Sequence, residues 1–292
     1  MGFRAVVVES RSRCSYKGGY LVVTRGDKTA KLHLSEISSL TLCTTQVYVS
    51  AYLLSELAKC KIPVVFSDEK CFPVAESLPL YGAHNCSGRV ADQLEWTLPS
   101  KKRVWKKVVT DKIGAQADVL DYVGCGREAE ILRGYRSEVK SGDTTNREAA
   151  AAALYFKALF GRDFNRDQDT DLNASLNYGY SILLSRVCRE VVSRGYLTQQ
   201  GIGHRGELNQ WNLACDLMEP FRPFVDLSVA HSGIDCFSKE MRHMLLDMMS
   251  REVSWRDGRY KLGSVISSYV KECLNALNKE APADDIEMYV IA

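Results

Sequence analysis

Residues 201–226 read GIGHRGELNQWNLACDLMEPFRPFVD. Glycines at 201, 203 and 206 surround His204 in a short polar loop. Glycine lets backbone bend close to a ligand, and a tight connection between helices uses it equally well. Leu208–Met218 then takes helical spacing, with Trp211, Leu213 and Leu217 as core contacts, and Pro220 and Pro223 stop it. Asp216 and Glu219, three apart, share a face of that helix. Read without a basic partner at helical spacing, two such acids repel unless a cation or a proton lies between them. A solvated acidic face is the alternative.

Upstream, residues 146–166 read NREAAAAALYFKALFGRDFNR. Asp143, Thr144 and Thr145 are candidate N-caps for this helix, and Glu148 in its first turn suits the helix dipole. A carboxylate on an alanine-rich helix buried against others also needs a partner. One imidazole with two carboxylates (His204, Glu148 and Glu219, with Asp216 beside them) suits a divalent cation with open coordination positions. That is chemistry for moving phosphoryl groups.

The whole chain bounds this reading. With 292 residues, 46% hydrophobic and 25% charged, it is globular and long enough for two domains. It has no run of eighteen apolar residues, so no membrane span is expected, and its N-terminus lacks a signal-peptide core. Ten cysteines without a CxxC are expected to be reduced, buried thiols of a cytoplasmic protein. A net charge of +2 makes any nucleic-acid surface a matter of local clustering.

The expected fold class is α+β. Residues 1–82 read as a β-rich, sandwich-like domain with one helix. Tyr20–Thr24 and Thr29–Leu34 flank a turn at Arg25-Gly26-Asp27-Lys28, and a strand near Cys71–Ala75 is expected to pair with Ile62–Phe66. His33 falls on the polar side of its strand and reads as a solvated or hydrogen-bonded residue. Gln46–Cys60 has helical spacing through Val49, Leu53 and Leu57, with Tyr52 alongside. Residues 83–89 read as a linker. Residues 90–292 read as a helical catalytic domain, with helices near 90–116, 117–125, 128–140, 145–160, 171–195, 208–218, 222–230, 237–248 and 263–279. Within it a hairpin spans 253–262, turning at Asp257-Gly258.

Other site patterns fail. Asp167-x-Asp169-x-Asp171 begins like a calcium loop, but Leu172 replaces the glycine and Tyr178 the closing Glu. These acids read instead as the cap of the 171–195 helix. Glu240-x-x-His243 is a single copy of a motif that a di-iron site needs twice. There is no P-loop, GxGxxG, nucleophile elbow or HExxH.

Three segments taken in order, residues 146–166, LNYGYSILLSRVCREVVSRGY at 176–196, and residues 201–226, resemble the CRISPR adaptation integrase family, most closely its type II members. The resemblance implies metal ligands at Glu148, His204 and Glu219, with Asp216 as a nearby acid, holding Mg²⁺ or Mn²⁺. It implies joining of prespacer 3′-hydroxyl ends to repeat DNA by transesterification, with endonuclease activity alone or a DNA-binding scaffold as alternatives. It implies a homodimer through the N-terminal domain. It also implies a four-plus-two complex with a small dimeric adaptation partner and, in type II systems, a DNA-binding ring protein and the RNA-guided effector nuclease. One departure is visible: Gly203 stands where a bulky residue or a second His is expected before the ligand His.

Double-stranded DNA needs basic surface. Lys101, Lys102, Arg103, Lys106 and Lys107 form an arc beside the apolar stripe of one expected helix, with a solvated face as the alternative. Arg147 and Arg205 lie in the catalytic half and could track phosphates. Asn173, Asn177 and Tyr178 read either as supports behind the site or as an interhelical hydrogen-bond network. The acidic, then apolar stretch from Asp284 to Ala292 reads as a frayed tail or a docking strand for the partner.

Overall fold

The computed structural model describes residues 4–69, 73–77, 79 and 82–291. They divide into two compact units, Met1–Cys86 with Val192–Gly195, and Ser87–Val191 with Tyr196–Ala292.

The first unit contains β1 (Arg4–Val8), β2 (Ser12–Lys17), β3 (Tyr20–Arg25), β4 (Lys28–His33), β5 (Ile37–Leu42), β6 (Val47–Val49), α1 (Ala51–Lys59), β7 (Val64–Ser67) and β8 (Pro73–Ser77). They build two four-stranded sheets, ordered β1-β5-β7-β8 and β4-β3-β2-β6. Gly26 (φ +54°) opens the two-residue turn between β3 and β4, where Arg25 pairs with Lys28. Leu21 of one sheet, Ile37 and Leu40 of the other, and Leu53 and Leu57 of α1 share one buried core. The His33 ring bonds the Ser35 hydroxyl at 2.7 Å, so this histidine is satisfied locally.

The stretch Gln46–Cys60 is not helical throughout. Val47–Val49 pairs in parallel with β2, and Ser50, in extended conformation, caps α1 by accepting from Leu53 N at 3.2 Å. Tyr52 is exposed rather than packed in the core. β8 pairs antiparallel with β7; Cys71 and Phe72, expected in this strand, lie outside the described residues. The described cysteines are free thiols, but burial does not explain them all: Cys60 and Cys236 are exposed.

The second unit is helical: α2 (Cys86–Leu94), α3 (Leu98–Tyr122), α4 (Gly126–Ser137), α5 (Arg147–Phe160), α6 (Asp171–Ser193), α7 (Asn212–Met218), α8 (Arg222–Ala230) and α9 (Lys239–Asp247), then β9 (Glu252–Trp255), β10 (Gly258–Lys261) and α10 (Leu262–Leu277). The expected break at 116/117 is absent. The chain breaks instead before Thr97, which caps α3 by accepting from Ser100 N, with Pro99 in the first turn. α3 is the axis of this unit and packs against α4, α5, α8 and α10. Its Val108, Val109, Ile113, Val119 and Leu120 are fully buried, each worth about 1.5–3 kcal/mol.

Three further expectations are corrected. Helix α7 begins at Asn212, because a turn joins Asn209 N to Gly206 O and leaves Leu208 97% exposed. Thr170, not the preceding acids, caps α6 through Asn173 N. The hairpin turn is Arg256-Asp257, and Gly258 already pairs with Trp255.

The C-terminal stretch docks on its own unit. Val290 bridges to Ser254 of β9, Ile286 and Tyr289 are buried, and the Tyr289 ring stacks on Phe221 at 5.5 Å. Up to Val290 it is therefore not frayed.

Candidate metal centre

α3 delivers Lys112 into the interior, between buried Asp111 and Ile113. Its Nζ lies 2.7 Å from Glu148 Oε1 and 2.6 Å from Glu219 Oε2. Glu148 is set at the start of α5 by Asp143, whose carboxylate accepts from Arg147 N (2.9 Å) and Glu148 N (3.1 Å). This satisfies two of the donors that a helix N-terminus leaves open. Glu219 is not on α7. It opens a 3-10 turn, Glu219–Phe221, where Pro220 ends the preceding helix. Its Oε1 accepts from Arg222 Nε at 2.8 Å, so the two acids are not without a basic partner at helical spacing. Burial would raise the Glu219 carboxyl, but the fields of Lys112 and Arg222 outweigh it and hold the pKa at about 2.

Asp216 has a separate task. It is fully buried, and both oxygens are taken. Oδ2 accepts from Ile202 N (2.6 Å) and Gly203 N (3.0 Å), while Oδ1 accepts from His204 N (2.8 Å) and lies 2.6 Å from His204 Nδ1. A carboxylate accepting three amides is an acceptor for the ring as well, so Nδ1 carries the proton and Nε2 keeps its lone pair. This is how a second carboxylate orients a ligating imidazole. The hydrogen bond that His204 donates to Asp216 is the main cause of its raised pKa, and the fields of Asp216, Glu219 and Glu148 add to it. Asn212 closes the loop by donating to the carbonyls of Gln199, Gly206 and Asn209.

The Gly203 departure has a steric cause. A Cβ there would stand 2.6 Å from the Trp105 ring of α3, whose edge also meets the His204 ring at 5.8 Å. Trp105 fills the space that a bulky residue at 203 would take. Gly203→Ala is therefore expected to push the loop off Trp105 and cost about 1–3 kcal/mol, read as a fall in Tm. Pairing it with Trp105→Leu is expected to recover most of the loss.

Do these residues fit a divalent cation? Among the described residues no three His, Cys, Asp or Glu side chains converge into a ready ligand cluster. Lys112 lies between the two glutamates. Glu219 Oε2 is buried, and the Lys112 ammonium at 2.6 Å is its counter-charge. Two carboxylates facing one buried cation, with an imidazole whose Nδ1 is engaged by Asp216, form a donor set that fits Mg²⁺ or Mn²⁺.

Residues 5–235 match the family model described as CRISPR associated protein Cas1. The chain is 38% identical over 231 residues to a CRISPR-associated endonuclease Cas1 of Neisseria meningitidis, covering 79% of this chain and 76% of the relative. This chain belongs to the Cas1 family. Among solved structures, a casposase bound to integration product matches with a TM-score of 0.76 at 18% identity, over 96% of this chain and 92% of that one. A Cas6-RT-Cas1–Cas2 complex matches with a TM-score of 0.77 at 18% identity, over 99% of this chain and 36% of that one. At such identity the likeness is one of fold, and it is the fold described above.

The remaining expected site residues of this Cas1 chain divide into two groups. Lys101 and Arg205 line a groove of about 600 Å³ together with His204, Gln200 and Asn209. Lys102, Arg103 and Lys106 are exposed along α3. Lys107 instead pairs with buried Asp111 at 2.5 Å, and Asp111 also accepts from Tyr269 Oη; its role is structural. Arg147 pairs with Glu138 at 2.6 Å and lies over the Tyr135 ring. Asn173 and Asn177 accept from Arg166 at 2.6 Å each. Arg166 and Arg222 both lie over the Tyr180 ring, and Arg222 reaches Glu219, so these asparagines connect to the site through two arginines. Tyr178 faces elsewhere, edge-on to Phe237. Sequence reasoning missed Lys112, Arg222, Asn212 and Trp105. Arg222 at i+3 from Glu219 was a readable signal. So was Lys112, a lysine on the apolar stripe of Val108 and Val109.

Among the described residues no helix is long and apolar enough to cross a membrane.

Proposed function

We propose that this chain is a metal-dependent DNA integrase of CRISPR adaptation. It joins the 3′-hydroxyl ends of prespacer DNA to the repeat of the CRISPR array by transesterification. One observation carries the reading: Glu148 and Glu219 are held on two sides of one cation, beside an imidazole whose tautomer Asp216 fixes. The family adds a relative named an endonuclease and a fold neighbour bound to an integration product.

Glu148, Glu219 and His204 Nε2 are the groups that would hold the ion. When bound, Mg²⁺ or Mn²⁺ supplies polarisation of the target phosphodiester and charge stabilisation for the attacking and leaving 3′-oxygens. Asp216 keeps the proton on Nδ1, which leaves Nε2 aimed as an acceptor. The buried faces of Trp105 and Asn212 hold the loop rigid, so the imidazole is placed before DNA arrives. Lys101 and Arg205, in the same groove as His204, hold backbone phosphates. Direct transesterification needs no Ser or Tyr nucleophile. A fold neighbour named as a complex of Cas1 with Cas2 supports a Cas2 protein as the partner to supply; the assembly unit proposed for this chain is a homodimer.

The test mixes the purified chain, with and without Cas2, with short duplex DNA bearing 3′-hydroxyl ends, a repeat-containing plasmid and Mg²⁺ or Mn²⁺. Covalent joining that EDTA and His204→Ala both abolish supports the integrase. Cleavage without joining supports an endonuclease instead.

Charge removal separates the basic residues. Lys101→Ala with Arg205→Ala is expected to reduce the slope of log binding constant against log salt by about 2. Lys107→Ala is expected to leave that slope unchanged and to lower Tm, because it strands Asp111. A fluorescence-anisotropy salt titration with duplex DNA, set beside thermal unfolding, checks both.

A further inference from the structure

Lys112 belongs to no part of the chemistry described so far, yet it sits at the centre of the site. Its ammonium touches one oxygen of Glu148 and one of Glu219, and its side chain is almost closed to solvent. The other Glu219 oxygen is held by Arg222, so Oε2 is the oxygen that a bound ion would use. Lys112 Nζ is on that oxygen, at 2.6 Å.

Two carboxylates this close to one point repel strongly in a buried site, and a buried charge is stable only when paired. A divalent ion between the same two oxygens would need the volume that Nζ occupies, and two cations cannot share it. Lysine suits a temporary occupant: a compact charge on a flexible four-carbon stem, without the fixed fork of arginine. α3 anchors the backbone on both sides, through buried Asp111 and Ile113, so the side chain can withdraw while the helix stays.

We propose that Lys112 is an internal counter-cation. It occupies the metal position between Glu148 and Glu219, holds the metal-free site together, and must be displaced when a divalent ion loads. It thereby sets the apparent metal affinity. This rests on the metal-centre reading above.

The test uses the full chain and Mn²⁺ alone, without DNA, with free Mn²⁺ followed by electron paramagnetic resonance and Tm measured in EDTA and in Mn²⁺. Lys112→Met is expected to bind Mn²⁺ more tightly, on the order of tenfold or more, since the competing charge is gone. Its Tm in EDTA is expected to fall, and Mn²⁺ is expected to raise that Tm by more than in the unmodified chain. Lys112→Arg keeps the charge in a more rigid group and is expected to weaken Mn²⁺ binding; it carries the test if the Met variant does not fold in EDTA. Mn²⁺ affinity that is unchanged or weaker in Lys112→Met, or unchanged in Lys112→Arg, overturns the proposal while leaving the metal centre standing. Mn²⁺ binding that Glu219→Gln does not affect places the ion elsewhere, and then both the metal-centre reading and this proposal fail.

Discussion

Asp216→Ala is expected to lower Tm by about 10 °C and to abolish DNA joining. The carboxylate is fully buried and takes three backbone N–H donors and the His204 ring. Its removal leaves those donors facing a cavity, and each unmet buried group costs about 1–3 kcal/mol. A total of about 4 kcal/mol corresponds to roughly that shift in Tm, at the ~2–4 °C per kcal/mol expected for a unit of about 200 residues, the size of the helical unit. Asp216→Asn separates the two roles. It retains the volume and part of the acceptor capacity, so it is expected to be better folded than Asp216→Ala. It presents an amide to a site built for a carboxylate, and the fixed tautomer of His204 is lost. Joining is therefore expected to stay near zero in a variant that unfolds cooperatively. Calorimetry with a joining assay on both variants checks this; an Asp216→Asn chain with full activity contradicts the positioning role.

Glu219→Ala is expected to abolish joining and to destabilise the chain as well. The acid is buried against Lys112 and Arg222, and truncation strands both cations in the interior, at a cost of about 3 kcal/mol or more. Glu219→Gln retains the shape and is the cleaner probe of chemistry. The same ion pairs predict an acid sensitivity of definite sign. The folded pKa of about 2 lies below the ordinary carboxylate value of 4.5, so this group's stabilisation is fully present above pH 4.5. It is lost as pH falls from 4.5 through 2, and integrates to about 3 kcal/mol. His204 runs the opposite way: its raised pKa gives stability that is present below pH 6.5 and lost as pH rises through the folded value. Urea unfolding between pH 2 and 5 is expected to show a smaller acid loss in Glu219→Gln than in the unmodified chain. Equal losses in the two chains would contradict the assignment.

Much of this was legible one residue at a time. Glycines around His204 announced a tight loop, and Glu148 and Glu219, two acids with helix-start positions, do face one point in the interior. The β3–β4 hairpin followed from alternation and from Gly26 at a permissive position. Long-range partners were not legible, because local spacing says nothing about which helix faces which. Lys112 is 36 residues from Glu148, and its place on the apolar stripe of α3 marks it as buried without naming the acids it meets. Gly203 read as a departure until Trp105 was seen to occupy the same space. Lys107 read as a DNA contact although Asp111, at i+4, was already its natural partner. The C-terminal stretch read as loose because its acids dominate, whereas Ile286 and Tyr289 are what fix it.

The central claim is that Glu148, His204 and Glu219 converge on one divalent ion. Anomalous diffraction from crystals grown with Mn²⁺ tests it most directly. The account predicts one strong peak in contact with both glutamate carboxylates and His204 Nε2, with Lys112 displaced from between them. A peak elsewhere, or a Lys112 ammonium still bridging the two carboxylates at saturating Mn²⁺, would contradict it.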